Sequence, residues 1–359
     1  MESIVLSFCF GAALGLFLQR SRFCFFCVTR DFIDTRDASG LLGILAALAV
    51  GTIGYHLVFG LFVPDPGTGR LPPDAHIGPV SWALALAALV FGAGMSLSGS
   101  CISAHLYRLG EGAIGSVIAL IGVLVGFGLG FMTWNSLYLA SIDKAPVIWL
   151  PGLLGYSGSI VAQILVLGGL AIFLMARHVP AATLQPNERA RFVDRLLYRR
   201  WPAHVGGLLI GALAVMAYLR VAPLGVTAEL GSLARTAGGR VELLPERLQG
   251  LDGFAGCATA IKETVLSENG ALILGLVLAS FTSALFARDF QPQPVNAAKA
   301  LGNLFGGILM GWGAMTALGC TVGTLLSGIM AAAMSGWVFA LFCLLGLWLT
   351  WRLQRALAK

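Results

Sequence analysis

Three stretches of this sequence place a cysteine beside glycine, serine or arginine within otherwise apolar runs. They are centred on Cys24, Cys101 and Cys320. A thiol offers a weak S–H donor and a soft, polarizable acceptor. A path lined by such groups could replace part of an anion's hydration without binding the anion too tightly for release. The stretches are residues 19–31, 92–103 and 311–323.

The second and third stretches share a spacing. Each reads Gly-x-Gly-x6-Cys, with Ser100 or Gly319 directly before the cysteine. Glycine and serine weaken a helix, and irregular backbone at membrane depth is tolerated only inside protein or beside a polar cavity. A half-helix that begins there aims its N–H groups and positive dipole end at that cavity, which suits an anion. We therefore predict that Gly99, Ser100 and Gly319 line the same path as Cys101 and Cys320, and that the chain contains an internal repeat of two halves.

The other cysteines are expected to be free thiols. A disulfide framework would place cysteines in the polar loops of a small domain, whereas the seven here lie mostly in apolar or glycine-rich stretches. Cys9 and Cys343 are expected to pack as small hydrophobes, and Cys257 is expected to be incidental. Cys24 and Cys27 also form a Cys-x-x-Cys pattern, which leaves redox or metal use open. The five histidines offer no spacing that would complete a metal site, and no metal or cofactor is expected.

Composition identifies the class of protein that must position these residues. The chain of 359 residues is 57% hydrophobic and 11% charged, with a mean hydropathy of +0.85. Soluble domains carry about 25% charged residues, so this composition excludes a soluble enzyme. The first apolar run, Ser3–Leu18, has no basic flank before it and no small-residue cleavage site after it, so no removable signal peptide is expected.

Hydropathy predicts an all-α integral membrane protein. About 20 apolar residues cross a bilayer core, and the sequence contains nine such runs. Short re-entrant half-helices that carry cysteine are expected between them. The predicted spans are residues 3–19, 39–62, 80–97, 112–133, 152–176, 204–221, 269–287, 299–317 and 330–351.

The distribution of basic residues predicts the orientation. Loops on one side of the nine spans hold 16 of the 23 Lys and Arg residues. The positive-inside rule then places the N-terminus outside and the C-terminus in the cytoplasm, within a bacterial inner membrane. We expect a single transmembrane domain, residues 1–359, with a first half at about 1–176, a basic linker at 177–203 and a second half at 204–359. The second half includes an outer loop at 222–268, and the basic linker is explained as a topology anchor without nucleic-acid binding.

The three stretches resemble the YeeE/YedE family of sulfur-compound transporters, whose best-known function is thiosulfate uptake. The matching motifs are Gln19–Asp31, Gly92–Gly112 with its Gly-Glu-Gly, and Gly306–Trp337. The resemblance implies a nine-span bundle that narrows at its middle. It also implies that Cys24, Cys101 and Cys320 line the narrow path and relay thiosulfate through S–H···S contacts. The sequence departs from the family pattern at Ser100, where glycine is frequent, and at Cys27, where glycine is more usual.

These observations lead to an expected function, the uptake of thiosulfate or a related small sulfur anion by a transporter that is not an enzyme. Arg20 and Arg22 are expected to assist electrostatically on the inner side. The expected partners are the anion, membrane lipid and a cytoplasmic sulfur-carrier protein. Two alternatives stay open: a membrane thiol oxidoreductase or sulfurtransferase that uses Cys24 and Cys27, and a transporter of selenium species, sulfite or sulfide.

Overall fold

The computed structural model describes residues 2–179, 199–241, 243–245, 247–251, 261 and 267–357. In these residues the chain forms helices joined by turns and loops, and its strand-like pairs are three isolated bridges. A 3-10 turn spans Pro66–Thr68, and π-helical turns span Tyr138–Ile142 and Thr321–Ser327, the latter continued by one α-turn at Gly328–Met330. The longer α-helices are α1 (Glu2–Ser21), α2 (Phe25–Thr35), α3 (Ser39–Phe62), α4 (Trp82–Ser98), α5 (Ile102–Gly110), α6 (Ile114–Leu137), α7 (Leu150–Ala176), α8 (Ala203–Arg220), α9 (Thr227–Arg240), α10 (Glu268–Phe286), α11 (Ala297–Thr316) and α12 (Met334–Leu357).

Eight helical segments among the described residues are long and apolar enough to cross a membrane. A ninth results when α11 and the segment Thr321–Met330, which are bent by 45°, are counted as one span. The expectation of an all-α membrane protein with about nine spans is therefore confirmed. Three spans are composite: α1 with α2 covers 34 residues, α4 with α5 covers 29, and α6 with the π-helical turn Tyr138–Ile142 covers 29. The re-entrant form expected for the short helices stays a prediction.

Each cysteine stretch contains a residue with left-handed backbone where one helix ends. The φ angle is 50° at Arg22, 75° at Gly99 and 56° at Leu318. Each of these residues lies two positions before the cysteine and three before the next helical segment. Glycine adopts this conformation at little cost, whereas a residue with a Cβ is held in it by its surroundings. A single left-handed residue therefore lies at the interruption of each of the three spans.

Glycines bring the central helices together. A Cβ on Gly126 of α6 would overlap the Ile308 carbonyl oxygen of α11, and a Cβ on Gly311 of α11 would overlap the Val123 carbonyl oxygen of α6. Such small residues let membrane helices approach closely, which supplies packing that the hydrophobic effect does not provide in lipid.

The central helices also show a regular pairing. α11 packs along both α6 and α4, and α12 packs along α4. Exchanging α4 with α11 and α6 with α12 leaves this pattern unchanged, as a two-fold internal repeat would require. Around this group, α1 packs along α10 and α3 along α8. The repeat itself and the division into two halves stay predictions.

Some expectations fall on residues that the structure does not describe. Cys257 is one of them, so its assignment as an incidental thiol lies outside the described residues. The same holds for residues 180–198 of the basic linker and for much of the outer loop after residue 251.

Candidate functional site

The cysteines of the three stretches occupy the starts of helical segments. Cys24 precedes α2, Cys101 precedes α5, and Cys320 precedes the π-helical turn Thr321–Ser327. The Cys24 sulfur accepts a hydrogen bond from the Cys27 backbone N–H, and the Cys320 sulfur accepts one from Val322, each at 3.4 Å. All three cysteines are 0% exposed. The thiols therefore lie at the positive ends of helical segments inside the protein.

Cys24, Cys27 and Cys101 form a thiol cluster. The Cys27 sulfur lies 3.0 Å from the Cys24 sulfur, and the Cys101 thiol lies near enough to the Cys24 thiol to interact with it. Cys101 also lies 3.3 Å from the Ser103 hydroxyl. Cys24 and Cys101 come from separate spans, so the cluster brings the start of α2 near the start of α5.

Arg108 connects the thiol cluster to a large cavity. Its Nη2 donates to the Cys27 sulfur at 3.4 Å, and its guanidinium also lines the cavity. His105, one turn before it, is buried and lines the same cavity. The His105 Nδ1 lies 3.2 Å from the Ser116 hydroxyl, and its Nε2 has no hydrogen-bond partner among the described residues.

This cavity, which we call the basic cavity, has a volume of about 300 Å³. Its charged lining residues are the four bases Arg22, Arg108, Arg200 and Lys299 and the two acids Glu111 and Asp289. Gln19 donates to both acids, at 3.2 Å to Glu111 and 3.4 Å to Asp289. The lining therefore carries more positive than negative charge, as an anion requires.

Burial raises the pKa of the Glu111 carboxyl, because a charged carboxylate is poorly solvated there, while Arg22, Gln19 and Arg108 act in the opposite direction. The carboxyl therefore takes up a proton at a higher pH than an exposed glutamate. Its negative charge opposes anion entry less as the pH falls.

Cys320 adjoins a second cavity, which we call the hydroxyl cavity. It is narrow, at about 20 Å³, which is about the space of one water molecule. Burial lowers the pKa of His76 in this lining to about 4, so the imidazole is neutral at neutral pH. The Cys320 thiol interacts with Thr227, and the Cys343 thiol lies nearby. Polar lining residues of the hydroxyl cavity are His76, Ser81, Thr316, Thr324 and Ser335.

The two cavities lie at opposite ends of the central helices. α4 begins at the hydroxyl cavity, with Leu84, and ends at the basic cavity, with Ser98. α11 runs the other way, from Asn303 at the basic cavity to Thr316 at the hydroxyl cavity. Arg108 connects the thiol cluster to the basic cavity, and Cys320 lies in the chain between Leu318 and Thr324, which line the hydroxyl cavity.

The structure brings some of the predicted site residues together and separates others. Cys24 and Cys101 meet in the thiol cluster, whereas Cys320 adjoins the other cavity. Arg22 lines the basic cavity. Arg20 does not; it is 1% exposed and donates to the Arg199 carbonyl oxygen.

The residues before two of the cysteines take different roles. Gly99 ends α4 with its N–H donating to the Met95 carbonyl at 2.9 Å. Ser100 is buried, and its hydroxyl has no hydrogen-bond partner among the described residues. Gly319 packs so tightly that a Cβ there would overlap the Thr324 hydroxyl.

Sequence reasoning did not identify Arg200, Lys299 and Asn303 as lining residues of the basic cavity. They come from separate segments, and no local motif connects them with the cysteines. The one signal in the sequence is that Arg200 and Lys299 belong to loops on the base-rich side. The Cys-x-x-Cys pattern leaves the role of Cys27 open, and the structure adds the contact between its sulfur and the Cys24 sulfur.

Comparison with known proteins gives the context of this geometry. The profile of a family described as Sulphur transport matches residues 20–349. A "Thiosulfate transporter TsuA" of Escherichia coli is 30% identical over 356 residues, which cover 94% of this chain and 91% of that protein. A protein with the same name from Spirochaeta thermophila is 26% identical over 96% of this chain and 97% of its own length. A "Probable transporter YedE" of Escherichia coli is 31% identical over 81 residues, or 22% of this chain and 20% of that protein.

Proposed function

The chain belongs to the Sulphur transport family of multi-pass membrane transporters, and we propose that it takes up thiosulfate into the cytoplasm along a relay of buried thiols. The relay consists of Cys320 beside the hydroxyl cavity, then Cys101 and Cys24 in the thiol cluster. The full-length relatives named as thiosulfate transporters support thiosulfate as the cargo.

The observation that carries the proposal is the proximity of the Cys24 and Cys101 thiols, in a cluster that Arg108 connects to the basic cavity. Thiosulfate is a dianion, and its passage through hydrocarbon without polar partners is prohibitive. Neighbouring thiols from two spans offer successive S–H donors to its terminal sulfur. Each hop then removes only part of the hydration of the anion, and weak donors allow release.

The charge distribution supports the inward direction. The basic cavity is lined from segments that contain Arg22, Arg108, Arg200 and Lys299, all on the side that the positive-inside rule assigns to the cytoplasm of a bacterial inner membrane. An anion that leaves the thiol cluster would meet Arg108 and then a hydrated, positively charged cavity. A cytoplasmic carrier protein would receive the cargo beyond this cavity.

The relay is tested with purified protein in liposomes and labelled thiosulfate. Cys24→Ala, Cys101→Ala and Cys320→Ala should each lower uptake to the rate of protein-free liposomes, because each removes one S–H donor. Cys9→Ala is the matched control, since Cys9 lies exposed on α1, and it should retain uptake. Full activity in all three relay variants would overturn the proposal. Competition by sulfite, sulfide and selenium species in the same assay identifies the preferred cargo.

A second function is favoured by one observation, the 3.0 Å contact between the Cys24 and Cys27 sulfurs. In a sulfurtransferase, the Cys24 thiolate would attack the outer sulfur of thiosulfate, forming a persulfide and releasing sulfite. Sulfite release by the purified protein, with a persulfide on Cys24, would establish this function. Uptake of intact doubly labelled thiosulfate would exclude it.

A further inference from the structure

Cys27 occupies a special position in the thiol cluster. It lies in the first turn of α2, three residues after Cys24, and its backbone N–H and its sulfur both contact the Cys24 sulfur. A disulfide bond requires the two sulfurs at about 2.0 Å, so the observed separation of 3.0 Å needs a shift of about one ångström. The proposed relay uses Cys24 but not Cys27.

The Cys24 and Cys27 thiols differ in exposure. Cys24 is 0% exposed, whereas Cys27 is partly exposed. Arg108, which lines the cavity, donates to the Cys27 sulfur at 3.4 Å. Of the two, Cys27 is therefore the thiol that a small solute can reach, next to a lining residue of the basic cavity, and Cys24 is placed to resolve the product.

We propose that Cys24 and Cys27 are a reversible oxidation site, at which a disulfide between them closes the transport path. The reagent is a low-molecular-weight disulfide of the glutathione class, and a thiol reductant reopens the path. The effect on transport rests on the proposed relay function, whereas the oxidation itself does not.

The chemistry proceeds by two thiol–disulfide exchanges. The Cys27 thiol gives up its proton and attacks one sulfur of the oxidised reagent, the S–S bond of the reagent breaks, and one reagent thiolate leaves and takes up that proton. The Cys24 sulfur then attacks Cys27 in the mixed disulfide and gives up its proton to the second reagent thiol as it leaves. Two cysteine thiols are oxidised to one disulfide, and one reagent disulfide is reduced to two thiols.

The disulfide would remove the S–H donor on which the relay depends. Cys101 would then face a sulfur without a proton in place of the Cys24 thiol. Arg108 would lose the Cys27 thiol as its hydrogen-bond acceptor but keep its charge at the cavity. The predicted result is a path that stays folded and stops conducting the anion.

The experiment uses purified protein in liposomes treated with oxidised glutathione. Mass spectrometry of peptides should show a Cys24–Cys27 disulfide, and uptake should fall to the level of the Cys24→Ala variant. A thiol reductant should restore both the free thiols and the original rate. Cys27→Ser should transport at the untreated rate and resist oxidised glutathione, and Cys9→Ala should respond as the unmodified chain does.

The outcomes separate the two proposals. A disulfide at Cys24–Cys27 in a protein that never transports thiosulfate would keep the oxidation site and overturn the relay. Unchanged uptake with the disulfide fully formed would overturn the closing effect. No disulfide, or equal inhibition of Cys27→Ser and the unmodified chain, would overturn the oxidation site.

Discussion

At the scale of single residues, the common feature of Cys24, Cys101 and Cys320 is the left-handed residue two positions before each of them. This conformation ends one helical segment and turns the chain so that the cysteine starts the next. The sulfurs of Cys24 and Cys320 then each accept a hydrogen bond of 3.4 Å from a backbone N–H in the first turn of the segment that follows. A polarizable atom at the start of a helix suits an anion that must also be released.

Arg108 is the residue whose charge we expect to matter most for release, because it contacts both the thiol cluster and the basic cavity. Arg108→Gln should lower thiosulfate uptake about tenfold, equivalent to about 1.4 kcal/mol, and Arg108→Lys should recover part of the loss by restoring the charge. Uptake rates in liposomes measure both. Lys299→Gln is the control, since Lys299 lines the same cavity but is exposed. Equal effects of Arg108→Gln and Lys299→Gln would contradict a special role for Arg108.

At the scale of helices, close packing fixes where the interrupted spans lie. α11 is held against α6 by glycines that leave no room for a Cβ. Cys320 follows the C-terminal end of α11. A change that separates these helices would move the hydroxyl cavity and Cys320 relative to the thiol cluster. The geometry of the proposed path should therefore depend on packing residues outside it.

Gly126 and Gly128 provide a test of this packing within one helix. A Cβ at Gly126 would overlap the Ile308 carbonyl, whereas a Cβ at Gly128 would have no atom within 4 Å. Gly126→Leu should destabilise the protein by about 2 kcal/mol or more through overpacking, and Gly128→Leu should leave its stability unchanged. Thermal unfolding of the purified variants in detergent measures the difference. Similar melting temperatures would show that the interface yields easily.

At the scale of the whole molecule, the opposite directions of α4 and α11 bear on the predicted repeat. α4 runs from the hydroxyl cavity to the basic cavity, and α11 runs back. If the two halves share an origin, their topologies are therefore inverted, as in many transporters whose sites lie between repeats. Cys101 and Cys320 would then be equivalent residues, one on each side of the centre.

The predicted orientation can be tested from both ends of the molecule. Asp65 lies in the loop after α3, and Gln293 lies at the basic cavity; both are exposed. In a Cys9→Ala, Cys257→Ala background, a membrane-impermeant maleimide added to intact cells should label Asp65→Cys. It should label Gln293→Cys only after the membrane is permeabilised. The reverse pattern would place the basic cavity outside and contradict uptake in the proposed direction.

The sequence alone predicts features that depend on composition or on a local pattern. The spans follow from long apolar runs, and the helix interruption at Gly99 follows from glycine beside Cys101. Gly319 gives the same signal before Cys320. The left-handed backbone itself, however, falls on Leu318 there and on Arg22 before Cys24, and neither residue type favours it.

Local sequence patterns do not predict contacts between distant segments. The proximity of Cys24 and Cys101 requires the start of α2 to lie near the start of α5, and sequence spacing does not determine that. The positions of Arg20 and Arg22 differ because α1 ends between them, which sends one inward to the Arg199 carbonyl and leaves the other at the basic cavity. Long-range packing therefore decides which predicted residues share a site.

The complete burial of Cys24, Cys101 and Cys320 has a bioenergetic consequence. Protons cross membranes along unbroken files of water, and channels that must exclude them interrupt the file. These three side chains are closed to water, with the basic cavity on one side of them and the hydroxyl cavity on the other. An idle copy of this protein should therefore act as an electrical insulator, so that a cell could hold many copies without discharging its membrane potential.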